Sequence, residues 1–175
     1  MNITYRYGTK NDLPKLKDLA VNSWRQFQPK LTTDNWKKLF NNLSNDATYA
    51  ELLDKSTCLV STTDRNEIIG MAFLVPKGNA TEIYDNDWCY IRFVTVDPKF
   101  EGQGIGRKLT NLCIDTARKN NETAIALHTS ELMDSARHIY ESLGFKVLKE
   151  IDQRLGKRYW LYKLDLHEAN TIDKQ

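Results

Sequence analysis

The sequence has too few cysteines for a disulfide framework: Cys58, Cys89 and Cys113 are odd in number, widely spaced and set among apolar neighbours. Such thiols are expected reduced and packed in a core, neither bridged nor metal-bound. Long apolar runs are missing as well. No stretch is apolar enough to span a bilayer, and Met1-Asn2-Ile3-Thr4-Tyr5-Arg6 does not resemble a signal peptide, so a cytoplasmic protein with no membrane partner is expected. Charge of one sign is scarce: 25 basic residues against 23 acidic ones leave +2. That balance argues against a nucleic-acid-coating surface, the Arg154 to Arg158 stretch included. His128, His138 and His167 show no metal-ligand spacing and no Cys or Ser partner of triad type, so no metal site is expected. Satisfied or solvated histidines are the default. What is present is a 41% hydrophobic chain of 175 residues, enough for one core. A single domain over 1–167 with a flexible tail at 168–175 is expected.

Residues Ile3 to Tyr7 alternate as a short strand, and Asn11 or Asp12 offers a helix cap with Pro14 tolerated in the first turn. Leu13, Leu16, Ala20, Trp24 and Phe27 then share one helix face until Pro29 stops the pattern. Thr32 or Thr33 caps a second helix buried along Trp36, Leu39, Phe40 and Leu43, which Ala47, Ala50 and Leu53 continue in a shorter, tilted segment. Thr57 to Thr62 and Glu67 to Val75 read as an antiparallel hairpin across Asp64-Arg65-Asn66, and Pro76 to Asn86 as loop. Trp88 to Val96, aromatic and β-branched, predicts a central strand covered on both faces. Beyond Asp97-Pro98 come a Gly-rich segment, a helix to about Lys119, a strand from Ala124 to Thr129, and a helix from Asp134 to Leu143 closed by Gly144. Phe145 to Ile151 and Arg158 to Leu166 complete the pattern as strands joined by a turn from Asp152 to Lys157.

The chemistry concentrates in Glu101-Gly102-Gln103-Gly104-Ile105-Gly106-Arg107-Lys108, between a strand and a helix. Positions without side chains leave successive N–H groups unobstructed where a helix dipole favours an anion, and a pyrophosphate suits them. Arg107 or Lys108 is placed to reach a further phosphate. The spacing fails the P-loop, since Leu109 follows Lys108 where Ser or Thr is required. It also fails the dinucleotide fingerprint, because Gly-x-Gly-x-Gly here sits behind a hairpin and not in a first βαβ unit.

With Val94-Thr95-Val96-Asp97-Pro98 before these glycines and Ala136-x-x-x-Tyr140-Glu141-Ser142-Leu143-Gly144-Phe145 after them, the chain resembles the GNAT superfamily of N-acetyltransferases from about Ile3 to Leu166. Gly104 and Gly106 match the glycines of that family's Arg/Gln-x-x-Gly-x-Gly/Ala motif, and Glu101 stands at its first position. Met133 stands where the second motif often has Asn, with Ser130 or Ser135 nearby to replace its hydrogen bonds. The resemblance implies an α/β fold of α+β type: a mixed, mostly antiparallel, splayed sheet of about seven strands with about four helices.

It further implies acetyl-coenzyme A as cofactor, held by Val94, Thr95 and Val96 on the splayed strand, by the run from Glu101, Gly102, Gln103, Gly104, Ile105 and Gly106 to Arg107 and Lys108, and by Ser135. Backbone groups of Val94 and Val96 would receive the pantetheine arm as if it were an extra strand, and an N–H there would polarise the thioester carbonyl. Tyr140 occupies the position from which the family's hydroxyl protonates the departing thiolate; it also fits a buried stripe with Ala136, Ile139 and Leu143. Base candidates are Glu82, Asp85 and Asp87, directly or through water. Arg92 either binds a substrate carboxylate or is a salt-bridged strand residue. Trp24, Trp36, Tyr84 and Trp88 either wall the acceptor site or are core, and His138 shares a helix with Tyr140 near the cofactor. The implied activity is direct transfer of acetyl to a primary amine, on a small molecule or a peptide, in a ternary complex. The alternative is a catalytically silent acyl-coenzyme A binding or sensing domain, suggested by Glu101, Met133 and the lack of a Glu in the long strand. An exposed final strand makes a homodimer plausible.

Overall fold

The computed structural model describes residues 1–166; His167 and the expected tail at 168–175 lie outside the described residues. Seven strands form one sheet: β1 (Thr4–Tyr7), β2 (Thr57–Thr62), β3 (Ile68–Val75), β4 (Cys89–Val96), β5 (Ala124–Ser130), β6 (Lys146–Arg154) and β7 (Lys157–Asp165). Their order is β1-β2-β3-β4-β5-β7-β6, antiparallel throughout except for the parallel β4–β5 pair. The expected mixed, splayed sheet is therefore found. Five α-helices accompany it: α1 (Leu13–Trp24), α2 (Thr33–Leu43), α3 (Asp46–Lys55), α4 (Ile105–Lys119) and α5 (Asp134–Ser142).

Side chains alternating along the strands divide the core in two. On β3, Ala72 and Leu74 face α4, whose Leu109, Cys113 and Ile114 cover them. Met71, Phe73 and Val75 face the other way, under Leu16, Leu19 and Ala20 of α1 and Tyr49 and Leu52 of α3. Gly70 allows α4 to sit directly on the sheet: a Cβ there would lie 2.9 Å from Ile105 Cγ2 and 2.4 Å from Ser61 Oγ. Since Gly70 pairs with Val96, this close approach puts the first turn of α4 beside the end of β4. All three cysteines are free and buried, as expected.

Several sequence expectations need correction. The fifth helix, α3, is a separate element capped by Asn45, whose side chain accepts from Ala47 N at 3.0 Å. It buries Tyr49 and Leu52 and leaves Ala47 and Ala50 exposed. Tyr49 lies outside the expected Ala47, Ala50 and Leu53 stripe, yet its hydroxyl donates to Leu43 O at 2.6 Å, so the ring enters the core with its polar tip satisfied. Phe40 is exposed, and α1 ends at Trp24, tightening into a 3₁₀ turn over Arg25–Lys30 that contains Pro29. The final hairpin turns on two residues only, Leu155 and Gly156, with φ of 55° and 71°, a geometry matched to the twist of its strands. β7 is inserted between β5 and β6, so the sheet edge is β6 and not the final strand. The dimer argument from an exposed last strand therefore falls.

Candidate functional site

The glycine run forms the start of α4. Gly102 and Gly104 have φ of 78° and 77°, a left-handed conformation that disfavours any side chain, and Gly104 is the helix N-cap. Lys108 N donates to Gly104 O at 3.0 Å as the first helical bond. The N–H groups of Ile105, Gly106 and Arg107 are thus left free at the positive end of the helix dipole. They open onto a cleft of about 600 Å³, bounded by Val94 to Val96, by Trp24 and Phe27, and by Ser135, Ala136 and Ile139. Gly106 differs from its neighbours. Its φ is ordinary, and a Cβ there would meet Ile139 Cδ1 and Val96 Cγ2 at 3.7 Å, normal contact. The chain therefore does not itself require glycine at that position.

β4 opens the second half of the site. It pairs with β5 only at Cys89–Ile125 and Tyr90–Ala126, after which the two strands diverge. Against β3 the register shifts, so that Phe93 and Val94 together oppose Ala72, and Phe93 takes φ 55°. A bulge here re-aims the strand, at an intrinsic expense of about 1–2 kcal/mol for a left-handed non-glycine residue. Asp97 N donates to Ile69 O of β3, so Val96, one residue back, turns its backbone groups toward the splay. The Val96 carbonyl indeed accepts from Ser23 Oγ of α1 at 3.1 Å. Covering of both strand faces holds only near Cys89 to Ile91; Arg92 to Val94 and Val96 are half-buried because no strand adjoins them there.

A second cleft of about 380 Å³ lies across the splay, between α2, β5 and the β6–β7 turn. Leu39, Asn42 and Leu43 form one wall, Arg154 and Leu155 another, and Arg92, His128 and Tyr159 the floor. The turn reaches α2 closely enough that a Cβ on Gly156 would stand 3.1 Å from Asn35 Nδ2. Trp24, Val94, Thr95, Met133, Ala136 and Tyr140 line both clefts, which therefore meet at the splay. The Tyr140 ring packs edge-on against Phe145 at 6.0 Å in the core, while its hydroxyl makes no hydrogen bond to any described residue. Burial raises that phenol well above its ordinary value, so it is a proton donor at neutral pH.

His128 shares a 2.5 Å hydrogen bond between Nδ1 and the Tyr84 hydroxyl, and Tyr84 in turn stacks on Tyr90 at 4.0 Å. Burial, reinforced by the charges of Arg154 and Arg92, pushes His128 down to about 3, leaving a neutral imidazole. Arg154 is tied to Glu82 at 3.0 Å. Arg92 lies 5.2 Å over the Phe93 ring and makes no ion pair to any described residue, so the salt-bridged alternative is not what the structure holds.

Of the residues expected to hold the cofactor, Val94, Thr95, Val96, Glu101, Gly102, Gly104, Ile105, Gly106, Arg107 and Ser135 line the first cleft together with Tyr140. Gln103 and Lys108 do not; both are exposed. Gln26 Nε2 donates to Glu101 Oε1 at 3.4 Å, drawing that carboxylate toward the turn after α1. Ser130 Oγ accepts from Leu132 N at 3.2 Å. Glu82, Asp85 and Asp87 are exposed and line neither cleft, as is His138. Trp36, Tyr84 and Trp88 are packing residues, and only Trp24 of the four candidate aromatics reaches the clefts. Ser23, His128, Arg154 and Leu155 were not foreseen as site residues. No local motif marks them, because each enters through the packing of distant elements.

Comparison with known proteins fits this geometry. Residues 15–145 match the model of the acetyltransferase (GNAT) family. The N-acetylaspartate synthetase of Danio rerio is 34% identical over 98 residues, covering 48% of this chain and 35% of that protein. N-acetyltransferase 8B of Homo sapiens is 26% identical over 164 residues, covering 91% of this chain and 64% of that protein. The chain thus spans between 35% and 64% of the lengths of these curated relatives. Among solved structures, the PaiA N-acetyltransferase of Thermoplasma acidophilum in complex with coenzyme A shares the fold at a TM-score of 0.76 and 16% identity, covering 94% of this chain and 99% of that one.

Proposed function

The chain belongs to the acetyltransferase (GNAT) family, and from that premise we propose that it transfers the acetyl group of acetyl-coenzyme A to a primary amine by direct attack in a ternary complex. The observation that carries this reading is the meeting of two clefts at the splay, with Tyr140 among the residues that line both. The first cleft fits the cofactor: Gly102 and Gly104 shape a turn that opens free helix N–H groups to a pyrophosphate, and Arg107 stands at its rim. Bound acetyl-coenzyme A supplies the activated acetyl thioester.

The residues then divide the work. Ile105, Gly106 and Arg107 N–H groups hold the phosphates, and Val94 and Val96 offer backbone groups to the pantetheine arm along the unpaired edge of β4. The N–H at the bulge, near Val94, is the oxyanion donor. Tyr140, kept protonated by burial, gives its proton to the departing sulfur. Trp24 and Met133, shared by both clefts, exclude water from the junction. No carboxylate lines the second cleft, so nothing there stabilises an ammonium ion, and the neutral, nucleophilic amine is favoured. Its released proton leaves by water toward the mouth, where Glu82 stands beside Arg154. A covalent acetyl-enzyme has little support: none of the cysteines lines either cleft, and burial pushes Cys58 and Cys89 up to about 12. The continuous sheet from Thr4 to Asp165 supports reading this machinery as one domain.

The test is thiol release from acetyl-coenzyme A across a panel of amines, followed by initial rates at varied concentrations of both substrates. Intersecting double-reciprocal lines are expected. Parallel lines would sink direct attack, and cofactor binding without thiol release from any amine would leave the silent sensing domain.

A further inference from the structure

The second cleft has a chemical character that acetyl transfer alone does not require. Its lining holds two guanidinium groups, Arg92 and Arg154, one neutral imidazole and not a single Asp or Glu. Arg92 on β4 and Arg154 at the end of β6 line this one cleft together with His128. Glu82 engages Arg154 at the rim, but Glu82 is exposed and leaves the cleft side of the pair to solvent. Arg92 is half-buried and has no carboxylate of its own. Glu51, whose carboxylate senses Arg92, is exposed and already engaged by Lys55 at 2.8 Å. A half-buried guanidinium with its fork unused, at the bottom of a substrate-sized cleft, is a bidentate carboxylate receptor. The remaining walls, Leu39, Leu43 and Leu155, are apolar.

We infer that the acceptor is an amine that itself carries a carboxylate, an α-amino acid or a close analogue, with its carboxylate on Arg92, helped by Arg154, and its amine at the splay between Val94 and Tyr140. This assignment rests on the transferase reading above and names its substrate class. In the reaction the amine nitrogen forms the new C–N bond to the acetyl carbon, the C–S bond breaks, the sulfur takes a proton from Tyr140, and the proton lost by the nitrogen passes into water, which returns one to restore the Tyr140 phenol. The carboxylate is unchanged; it serves only to place the amine. Arg92 is thus a specificity-determining residue and not an acid or base.

The experiment measures thiol release from acetyl-coenzyme A with the twenty common L-amino acids, their amides and their decarboxylated amines, alongside spermidine and a peptide with a free N-terminus. At least one free amino acid is expected to exceed its amide in kcat/KM by about 10- to 100-fold, the value of a charge-assisted hydrogen-bonded pair. Arg92→Gln should erase that ratio by raising KM for the acid while leaving the amide and the affinity for acetyl-coenzyme A unchanged. Arg92→Lys should restore part of it. Arg154→Gln, at the half-buried end of β6, provides a second variant with a smaller loss should Arg92→Gln fold poorly. If amides, decarboxylated amines, spermidine or the peptide react as well as or better than every free amino acid, the inference is overturned and the transferase reading stands. If no amine releases thiol although acetyl-coenzyme A binds, the transferase reading fails and this inference falls with it.

Discussion

Gly106→Ala and Gly106→Val together separate what the glycine loop does for a ligand from what it does for the fold. Gly106 lies in the first turn of α4 with an ordinary φ, and the added methyl would find only normal contacts, 3.7 Å to Ile139 Cδ1 and to Val96 Cγ2. No strain is introduced, and the helical preference for Ala over Gly adds up to about 1 kcal/mol of stability. For a chain of this size that raises Tm by about 2–4 °C at most. The same methyl points into the cleft, between β4 and α5, where the cofactor is to pass. The family motif admits Ala at this position, so that single methyl is tolerated; forcing the two further methyls of Gly106→Val into a filled site costs about 1–3 kcal/mol, or roughly 5- to 150-fold in affinity. Calorimetric titration with acetyl-coenzyme A and a thermal melt on the same sample are the assay. For Gly106→Ala an unchanged or raised Tm with retained binding is expected, and for a folded Gly106→Val weakened binding; wild-type affinity in the Val variant would refute the placement of the cofactor against α4.

Tyr140→Phe should lower kcat by about 10²- to 10⁴-fold, the usual worth of a positioned acid, with acetyl-coenzyme A affinity nearly intact; an unchanged rate would remove Tyr140 from the chemistry. His128 is held neutral with its folded value about 3, far below the unfolded one. The unfolded chain therefore binds the extra proton first, and stability should fall as pH drops below about 6.5 by up to about 1.4 kcal/mol per unit. His128→Gln should flatten that slope between pH 6 and 4 in urea titrations. Asp12 is shifted in the same direction, lowered by its bonds to Arg6 at 2.9 and 3.0 Å. Its contribution is present above the ordinary carboxylate range and lost as pH falls through the depressed folded value. Asp12→Asn should destabilise by about 1 kcal/mol at pH 7, since Arg6 is partly exposed and solvent screens the pair, and the loss should vanish at low pH. A constant difference from pH 7 to pH 2 would refute the ion pair's role.

The local features of this protein are legible in its sequence because they rest on short-range physics. Alternation marked β1, a polar turn between two strand-like runs marked the β2–β3 hairpin, Gly144 stopped α5 with φ 99°, and the spacing of Gly102 and Gly104 marked a turn that only glycine favours. The cradle side of the first cleft comes from two neighbouring elements, β4 and the start of α4, so that part of its lining could be named in advance, whereas Ser23, Gln26 and Phe27 enter from the distant α1 end. Where a short-range rule has two outcomes the reading went astray: an alanine stripe was preferred to Tyr49, whose hydroxyl finds Leu43 O only in the folded packing. The bulge at Phe93 is likewise invisible, because aromatic residues seldom take positive φ and nothing in the local sequence asks for it.

The sequence by itself determined the order of elements, the two-sided core and the glycine cradle that opens the start of α4. The acceptor side is a product of tertiary structure. Arg92 and Arg154 are far apart in the chain and share a cleft because β7 is inserted between β5 and β6, and the Leu155-Gly156 turn reaches α2. Periodicity reports which face of an element is buried; it does not report which strand will be its neighbour. That choice depends on non-local packing of whole elements, and here it is what turns separated residues into one cleft.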